Sequence, residues 1–295
     1  MLTLEQASKL RQNPLQRGVV ETFARTSPVL ERLPFLNVAG NAYSWNREDA
    51  LPGIAFRDYN ETFVESTGVV QQSTEVLKIF GGKGRVDKAL VDTQGNLNDL
   101  RAIQDGMKAK SLALDWTKHF FKGDASTNPK GFDGLEKRLV GAQVLNATPA
   151  GMTLNDLDRL LDSIQGSPDI LFMNKTTRRT VNALRRAAGQ ATEVVSDTFG
   201  RQIDAYAGIP IGVIEEDASG NDILGFDEAG GTTSVYAVRF GVMEWVSGLQ
   251  ALEMEIIDQG LVDVWYQTLI QWISSFAIFH PKAAARLQGV TDAGM

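Results

Sequence analysis

The sequence contains no cysteine and only two histidines among its 295 residues. The absence of thiols excludes disulfide frameworks, thiolate metal sites and cysteine nucleophiles, and two histidines are too few for a histidine-rich metal site. Basic residues are outnumbered, with 29 Lys and Arg against 36 Asp and Glu, so the net charge is −7 at pH 7. This deficit argues against a general nucleic-acid binder, because such proteins neutralise phosphates with clustered Lys and Arg.

The sequence also lacks long apolar runs. Its least charged stretch, residues 264–279, contains glutamine, serine and threonine and is too short to cross a bilayer. Residues 1–12 have neither the apolar core nor the small-residue cleavage site of a secretory signal, which predicts synthesis and residence in the cytosol. The remaining composition, 43% hydrophobic and 22% charged, is typical of a folded globular chain.

The sequence contains no complete motif for phosphate binding, catalysis or metal binding. The cluster Gly81-Gly82-Lys83-Gly84 lacks the spacing of a phosphate-binding loop and the Ser or Thr that should follow its lysine. His119 and His280 have no acidic or hydroxyl partner at catalytic spacing, and the acidic residues 215–217 with Asp222 match no calcium loop. We therefore predict no catalytic, cofactor-binding or metal-binding residue and no enzymatic activity.

Residues 42–89 predict a long hairpin. Valines and other apolar residues on both sides of Pro52-Gly53 indicate two strands, with the turn at that dipeptide. The glycine cluster at residues 81–84 is expected to break the strand before it. The hairpin mixes charges with aromatics, and its tip has too few apolar residues to pack on itself, so the hairpin needs a neighbour. For Trp45 we favour contact with a neighbouring subunit over contact within the chain.

Helices and strands alternate in the rest of the chain, which indicates an α+β class. Asn96 is a suitable cap for the strongest amphipathic helix, which would end at Lys122 after roughly 39 Å. Thr153 is expected to cap a second helix, and a buried strand at Ile170–Met173 leads to a third helix capped by Asn174. Long strands follow late in the sequence.

This order of parts resembles the major capsid protein family of tailed bacteriophages over nearly the whole chain. The resemblance rests on a set of stretches taken together. They are Ala50-Leu-Pro-Gly-Ile-Ala-Phe56, Glu65-Ser-Thr67, Leu77-Lys-Ile-Phe80, Asn128-Pro-Lys-Gly-Phe-Asp-Gly134, Asp169-Ile-Leu-Phe-Met-Asn174, Ile209-Pro-Ile-Gly212 and a final strand through Phe276 to Pro281.

The resemblance implies the α+β capsid fold first described for the Hong Kong phage 97. In its terms, residues 1–34 look like the N-arm, and residues 35–94 look like the extended E-loop hairpin with its flanking strands. Residues 95–149 look like the spine helix of the peripheral P-domain and the loop after it. Residues 150–234 look like the axial A-domain, and residues 235–295 supply late strands that return to the P-domain and the C-terminal segment.

The resemblance also implies a structural function without catalysis. Copies of the chain would assemble through pentamers and hexamers into the icosahedral shell of a tailed-phage virion, inside the bacterial host cytoplasm. The implied partners are other copies of the chain, a separate scaffolding protein, a portal, decoration proteins and packaged double-stranded DNA bound without sequence specificity; no membrane is expected. Lys78 and Lys83 lie in the hairpin, but no motif identifies a bonding partner or an acidic catalyst, so the sequence gives no basis for predicting a cross-link.

The candidate inter-subunit contacts lie in the hairpin. Its charges would set register across subunit boundaries, and two aromatic side chains would act as apolar anchors. The charged candidates are Arg47, Glu48, Asp49, Arg57 and Asp58, and the aromatic candidates are Trp45 and Phe56. A further basic group, Arg178, Arg179, Arg185 and Arg186, is interpreted as the solvated side of a helix.

Two other functions stay open at this point. Encapsulins, which are cellular nanocompartment shells, have the same fold, and the helix predicted at residues 3–11 would suit cargo retention. The arm with Pro28 and Pro34 favours the phage shell. A soluble hydrolase would instead need two carboxylates that converge in a pocket as acid and base.

Overall fold

The computed structural model describes residues 27–94, 100–149, 151–196 and 202–292. Within these ranges the chain forms two main β-sheets, a separate two-stranded hairpin and six α-helices, which confirms the α+β class. None of the described helices has the length and apolarity that crossing a membrane requires. The helix predicted at residues 3–11 and the predicted cap at Asn96 lie outside the described residues.

The first half of the described chain contains the hairpin and the longest helix. Its elements are α1 (Pro28–Arg32), β1 (Phe35–Asn37), β2 (Ala42–Ala50), β3 (Val69–Val76), β4 (Lys78–Asp87), α2 (Lys88–Gln94), α3 (Leu100–Lys122), α4 (Leu135–Arg138) and β5 (Val144–Asn146).

The second half supplies most of the sheet strands. Its elements are α5 (Leu154–Asp162), β6 (Ile170–Met173), α6 (Lys175–Ala187), β7 (Glu193–Ser196), β8 (Gln202–Tyr206), β9 (Ile209–Val213), β10 (Thr232–Val238), β11 (Val246–Val262), β12 (Trp265–Ile278) and β13 (Ala284–Thr291).

A four-stranded sheet has the order β1-β11-β12-β4. Its long strands β11 and β12 pair antiparallel, and β1 joins β11 in parallel. Helix α3 packs on one face, where the buried rings of Trp116 and Trp272 have centroids 5.7 Å apart. The indole N–H of Trp116 donates to Ser274 Oγ at 3.2 Å, so the helix is fixed to the sheet by a hydrogen bond as well as by packing.

A seven-stranded sheet has the order β5-β13-β10-β6-β9-β8-β7. Alternate residues of its central strand β6 belong to different cores, as the period of two in a strand requires. Leu171 and Met173 pack with side chains of α5 and α6, whereas Ile170 and Phe172 join the core around α3. Because both faces of β6 are covered, its sequence is a continuous apolar run.

Two helix caps predicted from the sequence are confirmed. Thr153 Oγ1 accepts from the backbone N–H of Asp156, and the Asp156 carboxylate accepts from the backbone N–H of Thr153 at 2.9 Å, which is a capping box at the start of α5. Asn174 Oδ1 accepts from the backbone N–H of Thr177 at 2.7 Å at the start of α6.

The prediction that the glycine cluster breaks a strand is wrong. Strand β4 runs through residues 81–84 without interruption and pairs with β12 along its whole length. Packing explains the glycines, because a side chain at Gly81 would collide with the Ile270 carbonyl oxygen and one at Gly82 would meet Lys108 of α3. The cluster therefore lets helix and strand approach closely and forms no phosphate-binding loop.

The predicted turn of the hairpin is also in the wrong place. The strands end at residues 50 and 69, and the connection between them is a loop of residues 51–68 in which Val64 lies outside any strand. The backbone N–H of Gly53 donates to Ser66 Oγ at 2.8 Å, so the Pro52-Gly53 dipeptide joins the two limbs of the loop. The chain reverses near Asn60, which has a left-handed φ of 67°.

The basic group on α6 is only partly solvated. Arg179 and Arg186 are exposed as predicted, but Arg185 is fully buried, which corrects the prediction for that residue. Its guanidinium donates to the Ala205 carbonyl oxygen at 2.6 Å and pairs with Glu193 at 2.9 Å. Strands β7 and β8 bring these two acceptors to the end of α6, and a one-dimensional charge pattern does not reveal them.

Candidate interaction surface

The loop at the end of the hairpin exposes an apolar cluster. We define the tip cluster as Leu51, Ile54, Phe56, Tyr59, Phe63 and Val64, all of them exposed. Ile54 is 98% exposed and Phe56 is fully exposed, so neither side chain buries apolar surface within the subunit. Several large apolar side chains left exposed on one loop are typical of a protein–protein contact.

The charged candidates surround the same projection. Arg47 donates to Gln71 Oε1 at 2.9 Å across the β2–β3 ladder, and Glu48 is exposed. Arg57 donates to the Glu61 carbonyl oxygen at 3.1 Å, and the backbone N–H of Asp58 donates to the Glu61 carboxylate at 3.1 Å.

Arg57, Asp58 and Glu61 are exposed, so these charges of the loop face solvent. The guanidinium of Arg57 also lies 5.3 Å from the centre of the Phe63 ring, which places one charge beside the tip cluster. Strand β2 includes position 49, but the side chain of Asp49 lies outside the described part of the structure.

The root of the hairpin packs within its own subunit. The ring of Trp45 lies 4.9 Å from the ring of Phe279, and Tyr43 contacts the same ring at 6.1 Å. These residues join a small core with Leu77 and Leu249. Trp45 thus has an intramolecular partner that its sequence position did not indicate, and its contact with a neighbouring subunit stays a prediction.

Polar contacts at the root were missed by the sequence analysis. Glu75 of β3 accepts two hydrogen bonds from Arg138 of α4, at 2.7 and 2.8 Å, and one from Ser275 of β12 at 2.6 Å. Lys78 donates to the Pro129 carbonyl oxygen at 3.0 Å. The partners are far apart in sequence, so no local pattern could have indicated them.

A second apolar surface lies on the four-stranded sheet. Register places Ile79 of β4 beside Ile273 of β12, and Ile273 beside Leu252 of β11. Ile79 and Leu252 are 71% and 57% exposed, and Ile273 packs at the margin of the core at the hairpin root. We call Ile79, Ile273 and Leu252 the sheet row; it continues the apolar surface that the hairpin root covers.

The acidic and histidine candidates have structural partners. Asp217 pairs with Lys118 at 2.7 Å and accepts from the backbone N–H groups of Ser219 and Asn221. The hydrogen bond from Lys118 lowers the pKa of Asp217 to about 2. His119 bonds the Asp115 carbonyl oxygen one turn earlier in α3. Across the described ranges, no group of three or more His, Cys, Asp or Glu is placed to hold a metal ion.

A cavity of about 620 Å³ also gathers carboxylates, between α4 and the end of the seven-stranded sheet. Each of them faces a cation. Asp227 pairs with Lys122, Asp124 pairs with Lys137, and Glu136 and Glu228 share Arg286 at 3.0 Å. The cavity therefore holds ion pairs rather than the two free carboxylates that acid–base hydrolysis uses.

The chain resembles solved shell proteins along most of its length. It is 15% identical to an encapsulin of the holo-SrpI complex from Synechococcus elongatus PCC 7942, with 91% of this chain and 89% of that chain covered and a TM-score of 0.71. It is 13% identical to the capsid of a native GTA particle, with 92% and 91% covered and a TM-score of 0.65. For a chain of Mycobacterium phage Bobi the identity is 15%, the coverage 90% and 91%, and the TM-score 0.61.

These likenesses confirm the fold that the resemblance implied. A family model also matches the sequence. It is described as "Major capsid protein GP7" and matches residues 12–157, just under half of the chain. The match includes the hairpin, the long helix α3 and the start of α5. No curated protein sequence matches the chain.

Proposed function

The chain belongs to the major capsid protein family of tailed phages, and on that premise we propose that its copies close through pentamers and hexamers into an icosahedral shell around double-stranded DNA. It is a capsid shell protein of the virion, and building a shell requires it to associate with itself. Heterologous contacts of one subunit with the next close into rings, which is the symmetry that pentamers and hexamers need.

The tip cluster is the observation that carries the proposed mode of assembly. Burial of apolar surface contributes about 25 cal/mol per Å², yet Ile54, Phe56 and Tyr59 gain almost none of this inside the subunit. A second copy supplies the missing surface if the loop lies over its body. The sheet row is our choice of receiving surface, because Ile79 and Leu252 are exposed apolar residues and Ile273 between them is continuous with the core at the hairpin root.

The charged side chains of the hairpin would then set the register between subunits. Arg47, Glu48, Asp49, Arg57 and Asp58 flank the apolar contact, and rim charges contribute specificity and association rate more than affinity. Phe56 is the apolar anchor in this arrangement. Trp45 would act from the root, where its ring already packs on Phe279.

The finer organisation is part of the same proposal. Residues 1–34 would be the N-arm, 35–94 the E-loop with flanking strands, 95–149 the spine-helix region, 150–234 the A-domain, and 235–295 the returning strands and C-terminal segment. Assembly would take place in the bacterial host cytoplasm with a separate scaffolding protein, a portal and decoration proteins. The net charge of −7 suits a container that must not hold its enclosed DNA tightly.

Replacement of the loop tests the mode of assembly. In the test variant a short Gly-Ser linker replaces residues 51–68, and in the control the same linker is inserted at the exposed Gly189 turn after α6. We expect the loop variant to fold with an unchanged circular dichroism spectrum and unfolding midpoint but to form no shells by electron microscopy. Normal shells from the loop variant would refute the proposed role of the hairpin.

The contents of the shells separate the two shell functions. Particles that carry DNA and a portal support the phage capsid, whereas particles filled with a folded enzyme and no portal support an encapsulin. The encapsulin likeness shows a shared fold at 15% identity, so it does not by itself favour that alternative.

A further inference from the structure

The contact between Glu75 and Arg138 is the most directional one at the hairpin root. The two guanidinium nitrogens of Arg138 donate to the two carboxylate oxygens of Glu75 at 2.7 and 2.8 Å. Both side chains are mostly buried, with exposed fractions of 14% for Glu75 and 17% for Arg138. A bidentate pair of this kind fixes orientation as well as distance, because two parallel bonds must be aligned at once.

Arg138 is held in one orientation before it contacts Glu75. Its Nε donates to the Asp133 carbonyl oxygen at 2.6 Å. Its guanidinium lies 4.3 Å from the centre of the Phe276 ring, which supports the flat face of the group. The guanidinium group of Arg138 therefore has a fixed direction that is set by the body of the subunit.

Helix α4 carries Arg138 and is itself anchored on several sides. Leu135 is fully buried, Glu136 pairs with Arg286 of β13 at 3.0 Å, and Lys137 pairs with Asp124 at 3.2 Å. The backbone N–H of Gly134 donates to the Gly123 carbonyl oxygen at 2.9 Å, a close approach that leaves no room for a side chain at either glycine. This short helix is thus tied to α3 and to the seven-stranded sheet.

Described residues of both hairpin strands contact the body of the subunit. Strands β2 and β3 pair with each other and form a separate two-stranded sheet. On the β2 side, Tyr43 and Trp45 pack on Phe279, and the hydrophobic part of these contacts constrains orientation less than a bidentate ion pair does. On the β3 side, Glu75 is bound by Arg138 and Ser275.

We propose that Arg138 is a positioning residue that holds Glu75 and thereby sets the direction in which the hairpin projects from the subunit. The inference rests on the proposed function, because it gives that direction a role in bringing the tip cluster to a neighbouring copy. The ion pair acts through the hairpin and contacts no neighbouring copy in this proposal. The ion pair therefore acts directly on the direction of the hairpin and affects assembly only through that direction.

The absence of cysteine allows a direct measurement of the angle. Spin labels are attached at Gln72→Cys on β3 and Asp162→Cys on α5, both exposed positions, and labelled chains are diluted with unlabelled ones so that distances within one subunit dominate. The distance distribution is compared for the otherwise unchanged chain, Arg138→Met, Glu75→Met and the double variant. Lys88→Met, which breaks the exposed pair with Asp92 on α2, is the matched control.

The double variant separates positioning from stability. Two methionines of similar volume replace a buried pair without leaving an unpaired charge, so we expect the unfolding midpoint to recover relative to the single variants. The distance distribution should stay broad in the double variant, with the yield of shells reduced about tenfold because the tip no longer meets its target in one orientation.

Three results decide between the hypotheses. A narrow, unchanged distribution in the double variant overturns the inference, whatever the yield of shells. A broadened distribution together with normal assembly of the loop-replacement variant supports the positioning role and removes the hairpin from assembly, so that failure of the proposed function is seen separately. The inference is also overturned if Lys88→Met broadens the distances as much as Arg138→Met.

Discussion

The rings of Trp45 and Phe279 lie 4.9 Å apart, which joins the first strand of the hairpin to the residue that follows β12. The two ends of the hairpin therefore contribute differently to the stability of the subunit. Its root belongs to the core of the subunit, whereas its tip presents apolar side chains that the subunit leaves exposed. Substitutions at the two ends should therefore affect different measurements.

The first prediction compares two phenylalanines. Phe279→Ala removes the partner of Trp45 and Tyr43 and should lower the free energy of unfolding by about 3–5 kcal/mol, as expected for a buried aromatic. Phe56→Ala should change it by less than about 0.5 kcal/mol because that side chain is exposed. Chemical denaturation of the unassembled subunit measures both. Equal losses would show that the tip is part of the subunit core.

The second prediction concerns the charges of the hairpin. Reversing Arg47 and Arg57 to Glu should impair shell formation more than it lowers the unfolding midpoint of the subunit, because Arg57 is exposed and Arg47 is half-buried, and such charges contribute little to stability. Lys130→Glu, on an exposed loop beside α4, is the matched control and should assemble normally. Light scattering during assembly and calorimetry of the subunit provide the two readouts. An equal fall in thermal stability and in assembly would contradict the interface role.

The third prediction is a pH dependence at Asp217. Its pKa in the folded chain, about 2, lies below the ordinary value of 3.8, so the unfolded state binds the proton more readily. The stabilisation is present above pH 3.8 and is lost as the pH falls from there towards about 2. Asp217→Asn should therefore lower stability by about 1–2 kcal/mol at neutral pH, with the difference from the unchanged chain disappearing in acid.

Urea titrations across this pH range check the effect at Asp217. Glu216→Gln, at the neighbouring exposed position, is the control and should have little effect at any pH. If Asp217→Asn and the unchanged chain differed by the same amount at pH 2 and pH 7, the hydrogen bond from Lys118 would not be the cause.

The fourth prediction is that Gly→Ala changes the free energy of unfolding in opposite directions at two positions. Gly106→Ala lies inside α3 with open space around the new methyl group and should stabilise the chain by about 0.5–1 kcal/mol. Gly81→Ala should destabilise it by about 1–3 kcal/mol, because the methyl group would collide with the Ile270 carbonyl oxygen. Thermal unfolding of the two variants measures the signs. Stabilisation by Gly81→Ala would contradict the close pairing of β4 with β12.

Local signals were predicted well from the sequence. The Thr153 capping box, the Asn174 cap and the buried strand at Ile170–Met173 depend on residues a few positions apart, and the structure confirms all three. The end of α3 at Lys122 is likewise confirmed. The capsid fold itself was indicated by the order of such elements and is confirmed by the likeness to solved shells.

Features decided by distant residues were predicted poorly. Local propensity makes the cluster at residues 81–84 a strand breaker, but Lys108 of α3 and Ile270 of β12 make glycine the residue that fits. The periodic arginines of α6 indicate a solvated face, yet Glu193 and Ala205 arrive from later strands to bury Arg185. Among the candidate contacts, the exposure of Phe56 follows from its neighbours in sequence, whereas the root contacts of Trp45 and Glu75 depend on the final fold.

The sheet order has a consequence for how the chain is made. Strand β12 lies between β11 and β4, and β13 lies between β5 and β10, so each sheet has an interior position filled by one of the last strands of the described chain. During translation the interior positions of both sheets stay empty until β12 and β13 have been synthesised. Pairing between strands so far apart in sequence makes this last folding step slow. A chain stalled before β12 has neither sheet complete and exposes unpaired strand edges, which are prone to aggregation.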